Sequence, residues 1–152
     1  MNNLKKLLKT PLSKPLSRGL AVFIIVVSFI GFADATFLTI EHYQNRIPPC
    51  TTEGCEIVLT SAYSEIAGIP VALIGAIYYF LILVFSIAYI DTKKDIFLKY
   101  AFLLSTLGLL ASIYFFILQA FIIGVYCQYC IVSGITTTIL FITGLYIFFF
   151  RK

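Results

Sequence analysis

Charge is scarce in this chain. Asp, Glu, Lys and Arg make up 12% of the 152 residues, where soluble domains carry about 25%. That shortage excludes an ordinary soluble domain, a disordered tail and a nucleic-acid binder. Histidine occurs once, at His42, and cysteine only four times, too few in so apolar a chain for a disulfide-stapled secreted miniprotein. What the chain has instead is apolar surface: 61% of residues are hydrophobic, and the mean hydropathy is +1.01. This composition points to an all-α integral membrane protein of one small domain, residues 1–152.

The apolar runs set the number of spans. Leu20–Ile40 is interrupted only by Asp34, Ile69–Ile90 carries no charge, and in Ala101–Phe150 the most polar residues are Gln119 and Gln128. Some fifty residues of helix would measure about 75 Å against a hydrocarbon core of roughly 30 Å, so the last run has to fold back once. Gly124-Val125-Tyr126 is the natural turn. The expectation is a four-transmembrane-helix bundle with spans at about 20–42, 69–90, 99–122 and 126–150.

Basic residues orient the bundle. Lys5, Lys6, Lys9, Lys14, Arg18, Lys93, Lys94, Lys99, Arg151 and Lys152 fall on one side, leaving Arg46 alone on the other. Because cytoplasmic segments carry the Lys/Arg excess, both termini should face the cytoplasm in a cell inner or plasma membrane. The 43–68 loop and the 122–128 turn then face outward. An alternative for the N-terminus is a signal peptide cut near Ala33-Asp34-Ala35, but apolar character continues past that point through Phe37, Leu38 and Ile40.

This topology brings all four cysteines, Cys50, Cys55, Cys127 and Cys130, to the outer face, where disulfides persist. Cys50 and Cys55 lie in a loop opened by Pro48-Pro49, accessible to other proteins. Cys127-Gln128-Tyr129-Cys130 opens the last span, where a helix N-terminus favours a thiolate. Thiol–disulfide exchange can connect the pairs if the loop folds onto the bundle. Two inert structural disulfides and a Cys₄ zinc site are the competing readings, although zinc sites normally occupy closed soluble knuckles.

These residues resemble a known family. Cys50-x₄-Cys55 with Ser61 six residues on, Gly68-Ile69-Pro70 opening the second span, and Cys127-x-x-Cys130 opening the fourth are similar in order and spacing to the vitamin K epoxide reductase family. The likeness is to its prokaryotic branch, DsbB-like quinone reductases that generate disulfides, and it covers nearly the whole chain. It implies a thiol oxidoreductase that oxidises a thioredoxin-fold (DsbA-like) protein outside the cytoplasm and passes electrons to a ubiquinone- or menaquinone-type quinone, with no metal. It further implies that Cys50 meets the partner, Cys55 exchanges with Cys127, and Cys130 passes electrons to the quinone. Leu59, Ser61, Val71, Ile74, Tyr78, Phe115 and Gln119 would approach the ring. Many prokaryotic relatives carry a fused thioredoxin-like domain; with this sequence ending at Lys152, a separate partner is expected. Val71 and Gly134 replace an asparagine and a tyrosine of the vertebrate enzyme, which puts epoxide reduction in question. A DsbB-type generator with its second pair in a loop and a non-catalytic scaffold with stapled loops are the alternatives.

Other residues carry double readings. Asp34, the one acid inside an apolar run, is either a proton relay or a hydrated structural acid. His42 is either a general acid or an interfacial histidine. Ala101, Ser105, Gly108 and Ser112 form a small-residue stripe suited to close helix approach. Val58, Ala62 and Ile66 suggest a short amphipathic helix over Glu56–Ala67, lying as a lid on the outer surface. Tyr43, Tyr63, Tyr126 and Tyr129 fall where an aromatic belt is expected.

Overall fold

Four apolar runs become four long helices. The computed structural model describes residues 16–51 and 54–150. Helix α1 spans Arg18–Tyr43, and a loop follows that carries the short helix α2 (Gly54–Leu59) and an antiparallel hairpin of β1 (Glu65–Ile66) and β2 (Ile69–Pro70). Helix α3 spans Val71–Thr92 and α4 spans Asp95–Ile117, which continues as a π-helical turn, Leu118–Ile123; α5 spans Gln128–Phe150. All four long helices are long and apolar enough to cross a membrane. The chain is an all-α membrane bundle with a small two-stranded sheet. Lys5, Lys6, Lys9, Lys14, Arg151 and Lys152, which set the expected orientation, lie outside the described residues, as do Thr52 and Glu53.

Local chemistry sets the helix ends. The Ser17 hydroxyl accepts from the Leu20 N–H and opens α1. Lys93, left-handed at φ 56°, donates its N–H to the Tyr89 carbonyl and closes α3, and α4 starts two residues later. Gly124, at φ 77°, ends the π turn with its N–H on the Gln119 carbonyl, within the turn expected at Gly124-Val125-Tyr126. Helix α1 runs unbroken through Ala33-Asp34-Ala35, with Ala35 and Leu38 buried beyond the alternative cleavage point.

The lid is not the helix expected over Glu56–Ala67. Helix α2 stops at Leu59, and of Val58, Ala62 and Ile66 only Val58 is buried. Hydroxyls unwind the segment: Ser61 Oγ donates to the Val58 carbonyl at 2.7 Å and Ser64 Oγ to the Ser61 carbonyl at 2.8 Å. Ala67 and Gly68 then both take positive φ, 53° and 78°, the backbone of a tight two-residue hairpin turn. The His42 imidazole pairs with the Glu65 carboxylate at 3.0 Å and ties the hairpin to the end of α1.

Helix α1 packs on α3 and α5, and α4 closes the bundle against the same two helices. At the centre Tyr79 is 1% exposed, and its hydroxyl reaches the Ser133 carbonyl and the Ser133, Thr136 and Thr137 hydroxyls within 3.0 Å. A Cβ on Gly31 would collide with the Tyr79 ring, so glycine there lets α1 lie close to α3. A Tyr79→Phe substitution leaves these buried oxygens short of a partner. It is expected to cost about 1–3 kcal/mol, read as a lower thermal midpoint in detergent, with the site described below intact. The small-residue stripe on α4 serves two ends: Ala101 and Ser105 are buried in the bundle, whereas Gly108 makes room for the Tyr78 ring.

Candidate active site

The last helix opens on a pair of thiols. The Cys127 carbonyl accepts from the Ile131 N–H, so Cys127 caps α5 and holds its sulfur over the helix N-terminus. Its own N–H donates to Oε1 of Gln119, buried on the π turn, at 3.1 Å. A hydrogen bond from the Cys130 thiol, with further ones from the Cys130 and Tyr129 N–H groups, holds the Cys127 thiol below the ordinary thiol range. The thiolate is therefore favoured at lower pH than in an ordinary thiol. With the loop displaced, alkylation of Cys127 is expected to reach half its plateau rate at a pH below the ~8.5 of an ordinary thiol. A half-plateau pH of ~8.5 or above would contradict this.

The loop cysteines are joined by a disulfide, Cys50–Cys55, with Cα atoms 6.3 Å apart. Cys127 and Cys130 are thiols. Cys55 and Cys127 are both 0% exposed and share one buried cluster with Val58, while Cys50 and Cys130 are half-buried at its margins. Two features hold the loop there. A Cβ on Gly54 would run into the Tyr126 carbonyl, so the start of α2 sits directly on the turn before Cys127. The two residues between Cys127 and Cys130 grip the loop on both sides of Cys50. The Tyr129 hydroxyl donates to the Pro49 carbonyl at 2.7 Å, and Gln128 Oε1 accepts from the Thr51 hydroxyl at 2.6 Å and the Thr51 N–H at 3.2 Å.

Beneath the loop lies a cavity of about 820 Å³. All seven residues expected near a ring, Leu59, Ser61, Val71, Ile74, Tyr78, Phe115 and Gln119, line it, together with Cys130. Cys50, Cys55 and Cys127 do not; they belong to the cluster between the loop and the start of α5. Most of the wall is aliphatic and aromatic, as small-molecule sites usually are. Its polar groups are mostly committed. Ser61 donates to Val58, Gln119 accepts from Cys127, and the Thr137 hydroxyl bonds Tyr79. The buried Tyr78 hydroxyl and Asp34 Oδ2 have no hydrogen-bond partner. Gly134 also lines the cavity, with open space where a side chain would begin.

A family profile described as "Vitamin K epoxide reductase family" matches residues 22–145. The chain belongs to the vitamin K epoxide reductase family. No curated protein matches it. The matched segment covers all four cysteines and most of all four long helices. Membership in the vitamin K epoxide reductase family implies membrane thiol–disulfide oxidoreductase chemistry, and the Cys50–Cys55 bond is in keeping with it. That bond also takes two cysteines out of a Cys₄ zinc set. Among the described residues no group of three or more His, Cys, Asp or Glu could hold a metal ion. The sequence assigns no role to Gly54 or Gln128 and only an aromatic-belt place to Tyr129, because their roles depend on contacts with distant segments. Gln128 and Tyr129 carried one usable signal, their position between two cysteines.

Proposed function

We propose that this protein oxidises a thioredoxin-fold partner on the outer side of the membrane and passes the electrons to a membrane quinone of the ubiquinone or menaquinone type, supporting disulfide formation. The observation that carries this reading is the burial of Cys55 and Cys127 in one cluster, with Cys130 opening onto the cavity. Positive residues favour cytoplasmic termini, which puts the cysteine end outside.

The exchange steps balance as follows. A partner thiolate attacks Cys50 and displaces Cys55; the partner's second thiol then displaces Cys50, and the partner leaves with its own disulfide. The Cys55 thiolate attacks Cys127 of a Cys127–Cys130 disulfide and frees Cys130. Cys50 then attacks Cys55, re-forming the loop disulfide and releasing Cys127 as a thiol. The Cys50–Cys55 bond and the free Cys127 and Cys130 are in keeping with this order of steps.

The cavity fits a quinone. It is large enough for a substituted ring, its wall is chiefly apolar, and the Tyr78 hydroxyl offers an uncommitted donor. A bound quinone supplies a two-electron, two-proton acceptor. Cys130 would lie against it, Tyr78 would hydrogen-bond an oxygen, and Leu59, Val71, Ile74 and Phe115 would exclude water. Tyr78→Phe is expected to lower kcat about 100-fold, the usual cost of losing one donor aimed at developing negative charge. A variant within threefold of the parent would remove Tyr78 from that role.

The test uses a reduced short-chain quinol, which cannot oxidise thiols. It should protect Cys130 from alkylation and leave the accessibility of Cys50 unchanged in protein whose loop pair has been reduced. Equal Cys130 alkylation at saturating quinol and in its absence would contradict the assignment of the cavity.

A further inference from the structure

Closing the Cys127–Cys130 disulfide releases two electrons and breaks the bond between hydrogen and sulfur at Cys130. That proton starts inside an apolar cavity, where a bare charge is costly, so a nearby group has to accept it. The cavity wall has few candidates. Gln119, Ser61 and Thr137 are engaged as described above, and His42 is paired with Glu65 at the outer end. Tyr78 has a hydroxyl proton to give, but as a neutral phenol it is a poor base. Glu41 also lines the cavity, two helical turns further out along α1. Asp34 is different. Its Oδ2 is buried without a partner, it lines the same cavity as Cys130, and its charge is felt at Cys127, where it opposes ionisation of the thiol.

We propose that Asp34 is the proton acceptor of the cysteine pair: as the Cys127–Cys130 bond closes, the Cys130 proton passes to the Asp34 carboxylate, which then releases it to the quinone oxygen being reduced. This inference rests on the proposed function. The two electrons go to the quinone. The Cys130 proton supplies one of the two protons needed; the other replaces the one Cys127 loses to solvent on ionising. Asp34 ends the cycle as it began, as a carboxylate. The α1 face bearing Asp34, Leu38, Glu41 and His42 lines the cavity from this acid to the outer surface, which gives the second proton its way in. The titratable groups around the cavity besides Asp34 are Glu41 and His42 from α1, Tyr63 from the loop, Tyr78 and Tyr79 from α3, and Tyr129 and Cys130 from α5. Those from α4, Ser112 among them, do not titrate.

The test uses the full chain in lipid nanodiscs, in a Cys50→Ser/Cys55→Ser background so that only the helix pair reacts. One readout needs no quinone: iodoacetamide alkylation of Cys127 across pH. Asp34→Asn removes a negative charge near the thiol and should move the midpoint to lower pH; Asp34→Glu should leave it in place. The second readout is single-turnover oxidation of the pair by a short-chain ubiquinone. Asp34→Asn should slow it about 100-fold at neutral pH, a typical loss for a missing acid–base group, with the rate recovering as pH rises. Asp34→Glu should retain most of the rate. An alkylation midpoint unmoved in Asp34→Asn would overturn the inference alone, and so would an Asn variant that is merely less stable and is oxidised with the parent's rate and pH profile, as a purely structural acid predicts. A parent that the quinone does not oxidise at all would overturn the proposed function and this inference with it.

Discussion

A Cys127→Ser variant is expected to oxidise one equivalent of a reduced thioredoxin-fold partner and then stop. The Cys50–Cys55 disulfide is intact in the structure and needs no other cysteine for its first reaction. Once reduced, it can be restored only if Cys55 finds a disulfide to attack, and the other fully buried cysteine of its cluster is Cys127. Serine fits the same space and can still cap α5, so the bundle should fold. The catalyst then becomes a single-use oxidant, with turnover at the uncatalysed background. Counting partner disulfides per protein molecule distinguishes this from a scaffold with stapled loops, for which losing Cys127 changes stability and leaves electron flow unaltered. Sustained turnover in the variant would mean that electrons leave the loop pair by another route.

Gly54→Val should have the second-largest effect, on a residue that takes no part in the chemistry. The Tyr126 carbonyl occupies the place of any Cβ at position 54, so a branched side chain has to push α2 off the turn and draw Cys55 away from Cys127. Exchange reactions need close approach and alignment of sulfurs, and a displacement of about 1 Å commonly costs on the order of 100-fold. Transfer between the pairs should slow by that factor, followed by alkylation and mass analysis of the four cysteines after rapid mixing with reduced partner. The initial reaction at Cys50 should be much less affected, because that sulfur sits at the exposed margin. Undiminished transfer would show that docking on the turn is not what brings the pairs together.

The four helices could be read from the sequence because a membrane span is a property of a continuous run of residues. With the π turn counted as part of α4, their bounds differ from the expected spans by at most four residues, as with Asp95 against 99. The cavity-facing positions came from the family resemblance, and periodicity alone would not have selected them. The lid departs from the helix expected over Glu56–Ala67: Val58, Ala62 and Ile66 have helical spacing, but the Ser61 and Ser64 hydroxyls and the positive φ of Ala67 turn the chain instead. Alanine gives no warning of a left-handed residue. The π turn over Leu118–Ile123 is equally silent: it places Gln119 to receive the Cys127 N–H, a bond fixed by the fold-back. The grip of Gln128 and Tyr129 on the loop joins residues 77 to 80 positions apart, beyond any local pattern.

The most direct measurement is quinone reduction by the purified protein, followed by absorbance, with a reduced thioredoxin-fold protein as donor and a Cys130→Ser variant alongside. The parent should turn over, and the variant should not, because Cys130 is the one cysteine that opens onto the cavity. Equal turnover in the two proteins, or none from folded parent with both cysteine pairs competent, would contradict the account.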